Sequence, residues 1–325
     1  MNLFYTINNK FVPQLGAAIC SVCENNRATD EIHFYIGAQD ITPENQHLLS
    51  ELTKRYDRLI TFIAIKDIRE QLGFEFDSSG WNEIVVARLL IDRLLPVDVH
   101  RVLYLDGDTI VRGSLKELWE TDMKGNAIAA SIEPTANHAR KKALGLETLP
   151  YFNAGVLLYD LKTYREQHVA NTILEYYKMK EGKLFANDQD AINGALPGKI
   201  TVLSPKYNFC NIYWYYSYNS LVRISKTAPY LSKEIFEDAV NDPRIIHYLG
   251  EDRPWRKGNT HRYSADFHKY LAMTPWKDMP MEEGWETYFK LYGAYWKVLK
   301  PFPMLQYKIM DTLIPFVIKY RAKKK

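Results

Sequence analysis

Two aspartates separated by a single glycine, Asp106 and Asp108 around Gly107, follow directly on the apolar run at 102–105. Four apolar or aromatic residues in a row read as a buried strand. Open α/β sheets bind ligands beyond the carboxyl ends of their strands. Two carboxylates placed there repel each other unless a cation lies between them. A divalent metal held by oxygen ligands and shared with substrate phosphates meets that need. Gly107, without a side chain, lets backbone approach a ligand closely. Two other readings stand beside this one. The pair can be an acidic turn in which Asp106 caps the next segment. It can also open an aspartate-nucleophile phosphatase, with the first Asp as nucleophile and the second as acid.

Three more polar groups punctuate apolar segments further on. Asn153 and Gly155 sit at the head of the strand beginning Tyr151-Phe152-Asn153-Ala154-Gly155. Asn187-Asp188-Gln189-Asp190 opens a helix, where carboxylates also suit the N-terminus for structural reasons. Ile245-Ile246-His247-Tyr248 carries a His at a strand end. A lone His there is ordinarily a satisfied polar residue. Beside an acidic pair that needs a third ligand, neutral imidazole supplies one.

The elements that must position these groups alternate. Residues 2–7, 32–36, 59–65 and 127–132 read as strands, and 13–23 as a helix. Thr42 with Pro43 begins another helix. Residues 81–95 have helical spacing, with Ile84, Ala87, Leu90, Ile91 and Leu94 on one side, and stop before Pro96. Ser114 with Glu117 has the spacing of a capping box. Residues 134–150 are polar and read as an irregular loop over a site. Alternating strands and helices predict an α/β fold with a mostly parallel sheet covered on both faces. The first half has no G-x-G-x-x-G and no phosphate loop ending in Gly-Lys-Ser/Thr, so any nucleotide phosphate leans on the metal.

At 325 residues the chain can hold one large domain or two small ones. Its N-terminus does not read as a signal peptide, and no run of about 18 apolar residues predicts a spanning helix. Cys20 and Cys23 lack a second pair to complete a zinc site and read as buried reduced thiols, which fits a cytoplasmic setting. Of the net charge of +3, residues 282–325 carry +5, leaving the remainder near −2. The basicity belongs to the tail, so the main body is not expected to bind nucleic acid.

Four motifs stand in order: Leu-Asp-Gly-Asp at 105–108, Phe-Asn-Ala-Gly-Val at 152–156, Asp-Gln-Asp at 188–190 and His-Tyr-x-Gly-x-x-x-Pro-Trp at 247–255. In these, and over residues 1 to about 276, the chain resembles glycosyltransferase family 8. The phosphatase reading fares worse, because it wants its Asp-x-Asp near the N-terminus. The resemblance implies a retaining enzyme of the GT-A fold, similar to bacterial lipooligosaccharide galactosyltransferases. It implies Asp106, Asp108 and His247 as ligands of Mn²⁺, with Mg²⁺ as the alternative, and a UDP-sugar donor, UDP-galactose or UDP-glucose. Gly250 and Arg253 match the family's phosphate-binding loop, with Arg253 where many members have Lys. Thr6, Asn8 and the backbone near Gly107 fall at the uridine site. Asn8 departs from the Asp common in the galactosyltransferases, but its amide carbonyl can still accept from the uracil N–H. Arg88, Asn153, Asp188 and Gln189 match positions around the donor sugar; Arg88 also reads as a partner for a carboxylate at the helix face. Glu133 matches a position that often holds Asp.

Two retaining routes fit this resemblance. One uses a protein nucleophile, with Asp188 or Asp190 as the nearby carboxylates. The other, which we favour because an amide is a poor nucleophile, has the acceptor attack from the leaving-group face while Gln189 steadies charge at the anomeric centre. A catalytically silent UDP-sugar or glycan-binding module is the competing class.

Residues 282–325 lie beyond the resemblance and form a second unit after a catalytic domain at 1–281. Trp285, Tyr288, Phe289, Tyr292, Tyr295, Trp296 and Leu299 follow helical spacing among lysines. Aromatic and basic residues on an amphipathic helix read as an anchor on an anionic membrane surface. A helix packed on the catalytic domain or on a second subunit is the alternative. A cytoplasmic enzyme held peripherally on the membrane suits a glycan, glycolipid or glycoprotein acceptor.

Overall fold

The computed structural model describes residues 1–77, 82–225 and 232–322, without the side chains of 315 and 317–322. The first residue of the helix expected at 81–95 and the terminal lysines at 323–325 lie outside the described residues. Nine strands are described: β1 (Asn2–Asn8), β2 (His33–Gln39), β3 (Leu59–Ala64), β4 (Arg101–Leu105), β5 (Thr109–Val111), β6 (Ile128–Ile132), β7 (Phe152–Asp160), β8 (Ile200–Leu203) and β9 (Ile245–His247). Seven of them form one sheet in the order β3-β2-β1-β4-β7-β6-β8. All its pairings are parallel except those of β7, which runs against both β4 and β6. The fold is thus mixed α/β with a largely parallel sheet and a C-terminal helical extension.

Apolar residues on both sides of each central strand explain the two layers. Leu3, Tyr5, Leu103 and Leu105 pack into one core, and Phe4, Val102 and Tyr104 into the other. Strands buried on both faces read as continuous apolar runs, which is why residues 102–105 were legible. Thr42 caps the Pro43–Lys54 helix, its hydroxyl accepting from the Asn45 N–H at 3.3 Å.

The reversal of β7 positions the site. Its starting end lies where β4 and β6 finish, so Asn153 and Gly155 arrive beside Asp106; the Asp106 N–H donates to the Gly155 carbonyl at 2.8 Å. The small β5–β9 ladder does the same for His247. It pairs His247 with Thr109, and Tyr248 N–H donates to Asp108 O at 3.0 Å.

Three local expectations are corrected. Residues 83–90 form a 3-10 helix rather than the start of one amphipathic α-helix, and only Ile91–Leu94 is α-helical. Val86, Ala87, Arg88, Leu89 and Leu90 are all buried, so no polar face exists to set an α-helical stripe. The capping box at Ser114 does not form. The short helix begins at Lys116, and the Ser114 hydroxyl accepts from the Lys116 N–H at 3.2 Å. Within the expected loop at 134–150, His138–Ala143 is helical, capped by the Asn137 side-chain Oδ1 accepting from the Arg140 N–H at 2.7 Å.

Two helices close the chain, Glu286–Leu299 and Pro303–Ala322. The aromatic stripe turns inward: Phe289 is buried, and Trp296 stacks on Tyr215 with ring centroids 3.7 Å apart. Leu291, Val298, Phe302 and Leu305 are all at least half exposed. Among the described residues no helix is long and apolar enough to cross a membrane.

Candidate active site

At the end of β4 the chain changes from buried strand to turn, and Asp106 and Asp108 emerge toward β9. One oxygen of Asp106 is fully engaged, accepting from Tyr104 OH at 2.7 Å and from Arg88 Nη2 at 2.9 Å. The other lies 3.8 Å from His247 Nε2. Asp108 Oδ1 lies 3.4 Å from the same nitrogen, and its Oδ2 is 3.3 Å from Arg253 Nη2. One ligand atom from each of Asp106, Asp108 and His247 falls within 4.8 Å of the others.

The imidazole is set for ligation. His247 Nδ1 lies 2.9 Å from Asn208 Oδ1, while Asn208 Nδ2 donates to Asn153 Oδ1 at 2.8 Å. Asn208 therefore offers its carbonyl to the ring, which places the proton on Nδ1 and leaves Nε2 a lone pair toward the carboxylates. Gly155 makes room, since a Cβ there would overlap the His247 ring. Burial alone would lower the His247 pKa, but the Asp108 hydrogen bond and the charges of Asp108 and Asp106 raise it. Burial likewise opposes the Asp108 charge, and His247 and Arg253 overcome it, holding the carboxyl below its ordinary value. Two anionic oxygens and one inward-facing nitrogen form a donor set that fits a divalent cation.

A second polar cluster lies along the start of β7. Arg88, 4% exposed, joins the two clusters. It reaches Asp106, Asp188 Oδ2 at 3.0 Å and the Ala154 carbonyl at 2.6 Å. Desolvation works against its charge, yet the two carboxylates raise its pKa. Asp188 gains less, because it shares that cation and feels the Asp106 charge. Burial dominates and pushes its carboxyl up to about 6. Gln189 is fixed at both ends. Its Oε1 accepts from the Ala154 N–H at 3.0 Å, and its Nε2 donates to Glu133 Oε2 and to Tyr151 OH, each at 2.9 Å. Asn153 Nδ2 also donates to Glu133 Oε2, at 3.0 Å.

Residues 2–258 match Glycosyl transferase family 8. The chain belongs to that family. The family 8 chain is 24% identical to General stress protein A of Bacillus subtilis, over 85% of its own length and 94% of that protein's. It is 27% identical to a lipopolysaccharide 1,2-glucosyltransferase of Escherichia coli, covering 86% and 79% of the two chains. It is 26% identical to a lipopolysaccharide 1,3-galactosyltransferase of Salmonella typhimurium, covering 85% and 79%. Among solved structures, the galactosyltransferase LgtC with donor and acceptor sugar analogues superposes with a TM-score of 0.71 at 24% identity. That match covers 88% of this chain and 99% of LgtC. Family membership and the Asp/Asp/His cluster together support a metal-dependent sugar-transferase activity.

The structure places the residues expected from sequence as follows. Asp106, Asp108, His247, Arg88 and Arg253 converge at the strand ends, and Asn153, Asp188, Gln189 and Glu133 line the adjoining cluster. Gly250 turns the loop before Arg253 with φ of 74°. Thr6 and Asn8 sit on β1. The Thr6 hydroxyl shares a hydrogen bond with Tyr104 OH at 3.0 Å, and Asn8 Oδ1 is buried without a partner. Gly107 admits Ile7 and Phe11, whose side chains would lie 3.1 and 3.2 Å from a Cβ there. Asp190 stands apart. Its Oδ1 accepts from Tyr151 OH at 2.7 Å and from Arg140, and its Oδ2 from the Ala186 N–H at 3.0 Å. Sequence reasoning missed Tyr104, Asn208 and Arg140. Tyr104 was findable, two residues before Asp106 on the same strand face. Asn208 and Arg140 carry no local signal.

Proposed function

We propose that the chain moves galactose or glucose from a UDP-sugar, with retention, to a hydroxyl of a glycan, glycolipid or glycoprotein. The reading is carried by the convergence of Asp106, Asp108 and His247 with Arg253, whose Nε is buried without a partner. A buried, unsatisfied guanidinium N–H beside a metal-type donor set suits a diphosphate. Asp106, Asp108 and His247 Nε2 would hold Mn²⁺, or Mg²⁺ in its place, which would supply positive charge for the leaving UDP. Arg253 donates to phosphate oxygens from the loop turned by Gly250. Asn8 offers its unpartnered carbonyl to the uracil N–H, and Thr6 with the backbone near Gly107 completes the nucleoside side. Arg88, Asn153, Asp188 and Gln189 face the donor sugar with donors and acceptors fixed by their neighbours. Asp190 is saturated and Asp188 is paired with Arg88, so neither is poised as a nucleophile. That favours attack by the acceptor from the leaving-group face, with the β-phosphate taking its proton and Gln189 steadying the anomeric centre. The relatives that name glucosyl and galactosyl transfer to lipopolysaccharide support a hexose donor.

The exposed Leu291, Val298, Phe302 and Leu305, with exposed Lys290, Lys297 and Lys300, support attachment of the tail to an anionic membrane surface on the cytoplasmic side. The test of the chemistry is UDP release from a panel of UDP-sugars with Mn²⁺ or chelator. Metal-dependent turnover of one UDP-hexose, lost in Asp108→Ala, is expected. Tight binding without turnover, with candidate acceptors present, would instead make the chain a silent UDP-sugar-binding module.

A further inference from the structure

The loop after β9 carries Gly250 and Arg253, and its outer side rests on the start of the tail. Glu282 N–H donates to the Trp255 carbonyl at 2.8 Å, and Lys257 N–H to the Glu282 carbonyl at 2.9 Å, a single parallel β-bridge between Arg256 and Glu282. The Glu282 carboxylate accepts from Trp255 Nε1 at 3.1 Å and from Arg256 Nε at 2.9 Å. Arg256 also donates to the Glu251 carbonyl at 3.1 Å and to its carboxylate, and its guanidinium lies 3.7 Å over the Trp285 ring. One residue before Arg253, the buried Asp252 accepts from Tyr215 OH at 3.0 Å and Asn259 Nδ2 at 2.8 Å. Tyr215 is the ring on which Trp296 stacks. The loop is therefore tied to the tail on both sides of Arg253, through Tyr215 to Trp296 before it and through Arg256 to Glu282 and Trp285 after it. Gly258, with φ of 85°, closes the contact, since a Cβ there would lie 2.9 Å from Glu286 Cα.

We propose that the start of the tail is a positioning element of the active site: Glu282, Trp285 and Trp296 hold Arg256 and Asp252, and through them fix Arg253 for the donor diphosphate. Arg256 touches no reacting group in this arrangement and acts through the loop. An unbraced loop would pay its ordering entropy when the nucleotide binds, whereas a braced one has paid it on folding. The proposal rests on the reading of Gly250 and Arg253 as the phosphate loop.

The experiment uses the full chain and compares wild type with Trp285→Ala/Trp296→Ala, Arg256→Lys and Leu291→Ser. UDP binding in the presence of Mn²⁺, Mn²⁺ binding alone and amide exchange across 249–257 are measured. The paired Trp substitution is expected to weaken UDP binding about tenfold and to speed exchange across the loop, with Mn²⁺ affinity unchanged. Arg256→Lys keeps the charge but loses the fork and the stacked plane, and is expected to follow it. Leu291→Ser, on the solvent side of the same helix, is expected to match wild type. Unchanged UDP affinity despite faster exchange would overturn the proposal, as would unchanged exchange in the Trp variant. So would an equal loss of Mn²⁺ affinity, which would make the role generally structural. A wild type that binds neither Mn²⁺ nor UDP would remove the nucleotide-sugar reading instead, and the exchange measurement, which needs no ligand, would still decide the brace.

Discussion

Asp106-Gly107-Asp108 and Asp188-Gln189-Asp190 share one spacing and have opposite surroundings. The first pair stands in the turn between β4 and β5, closed by the Thr109 N–H donating to the Asp106 carbonyl at 3.2 Å, and this turn brings both side chains to the β9 side. Both carboxylates face His247, and neither Asp106 Oδ2 nor Asp108 Oδ1 lies closer than 3.4 Å to the imidazole nitrogen. The second pair opens a helix, where residues two apart diverge by about 200°. In both pairs each carboxylate meets a different arginine, Arg88 and Arg253 in the first and Arg88 and Arg140 in the second, but only the first pair turns an oxygen of each carboxylate toward one shared imidazole. Spacing alone does not make a metal site; the element beneath it decides whether the two carboxylates also converge on a third group.

The largest test of this contrast is Asp108→Ala, expected to cut metal-dependent UDP release by about three orders of magnitude while lowering stability less than Asp190→Ala does, because removing Asp108 also relieves its repulsion with Asp106. Asp190→Ala is expected to do the reverse. It leaves Arg140 buried without its carboxylate and costs about 3–5 kcal/mol of stability by denaturant unfolding. Adding Arg140→Met should recover much of that loss. An Asp190→Ala protein of normal stability and no activity would break the comparison and return Asp190 to the chemistry. Gly155→Ala sharpens it from the metal side. Displacing the His247 ring is expected to weaken Mn²⁺ binding about 10–100-fold, measured by calorimetry, while the Asp188 and Asp190 pairs stay intact.

The pH dependence should be the smallest effect and also separates the pairs. His247, with its pKa raised in the fold, stabilises the metal-free protein below its ordinary 6.5 and loses that contribution as pH rises through the raised value. Asp108, with its pKa lowered, contributes above its ordinary 3.8 and loses this as pH falls through the lowered value. Metal needs the neutral ring, so Mn²⁺ affinity should climb with pH until His247 is deprotonated, by up to about tenfold per unit, and then level off. Asp188 runs opposite to Asp108 and in the same direction as His247. Its carboxyl, pushed up to about 6, favours the folded state most below 3.8, and that contribution fades as pH rises through 6. Binding isotherms at several pH values that show no proton release would exclude His247 as a ligand.

Much of this was readable in the chain because the strands are buried on both faces and the acidic turn follows one of them without a gap. What was not readable depends on packing between distant segments. The 3-10 helix at Glu83–Leu90 carries apolar residues all round, so periodicity could not reveal its pitch, yet Arg88 depends on it for its reach. Asn208, which orients the imidazole, lies 39 residues from His247 in a short turn with no motif. Arg140 comes from a polar stretch that looked like loop and is helical because Asn137 caps it. The aromatic stripe of the tail had the period of an amphipathic helix, and only the position of Tyr215 shows that this face is spent on the protein itself.

The reversed strand β7 has a consequence for how this molecule could diversify. Because β6 ends and β7 begins at the same edge of the sheet, residues 133–153 leave the site and return to it as one uninterrupted segment. Glu133 stands at one foot and Asn153 at the other, bridged by the Glu133 N–H donating to the Tyr151 carbonyl at 2.8 Å and by the Asn153–Glu133 side-chain bond. Between the residues that reach Asp190 and Gln189, namely Arg140 and Tyr151, this segment can be lengthened or shortened with its ends anchored in register. A lineage could thus acquire a new recognition surface without renegotiating the chemistry beneath it.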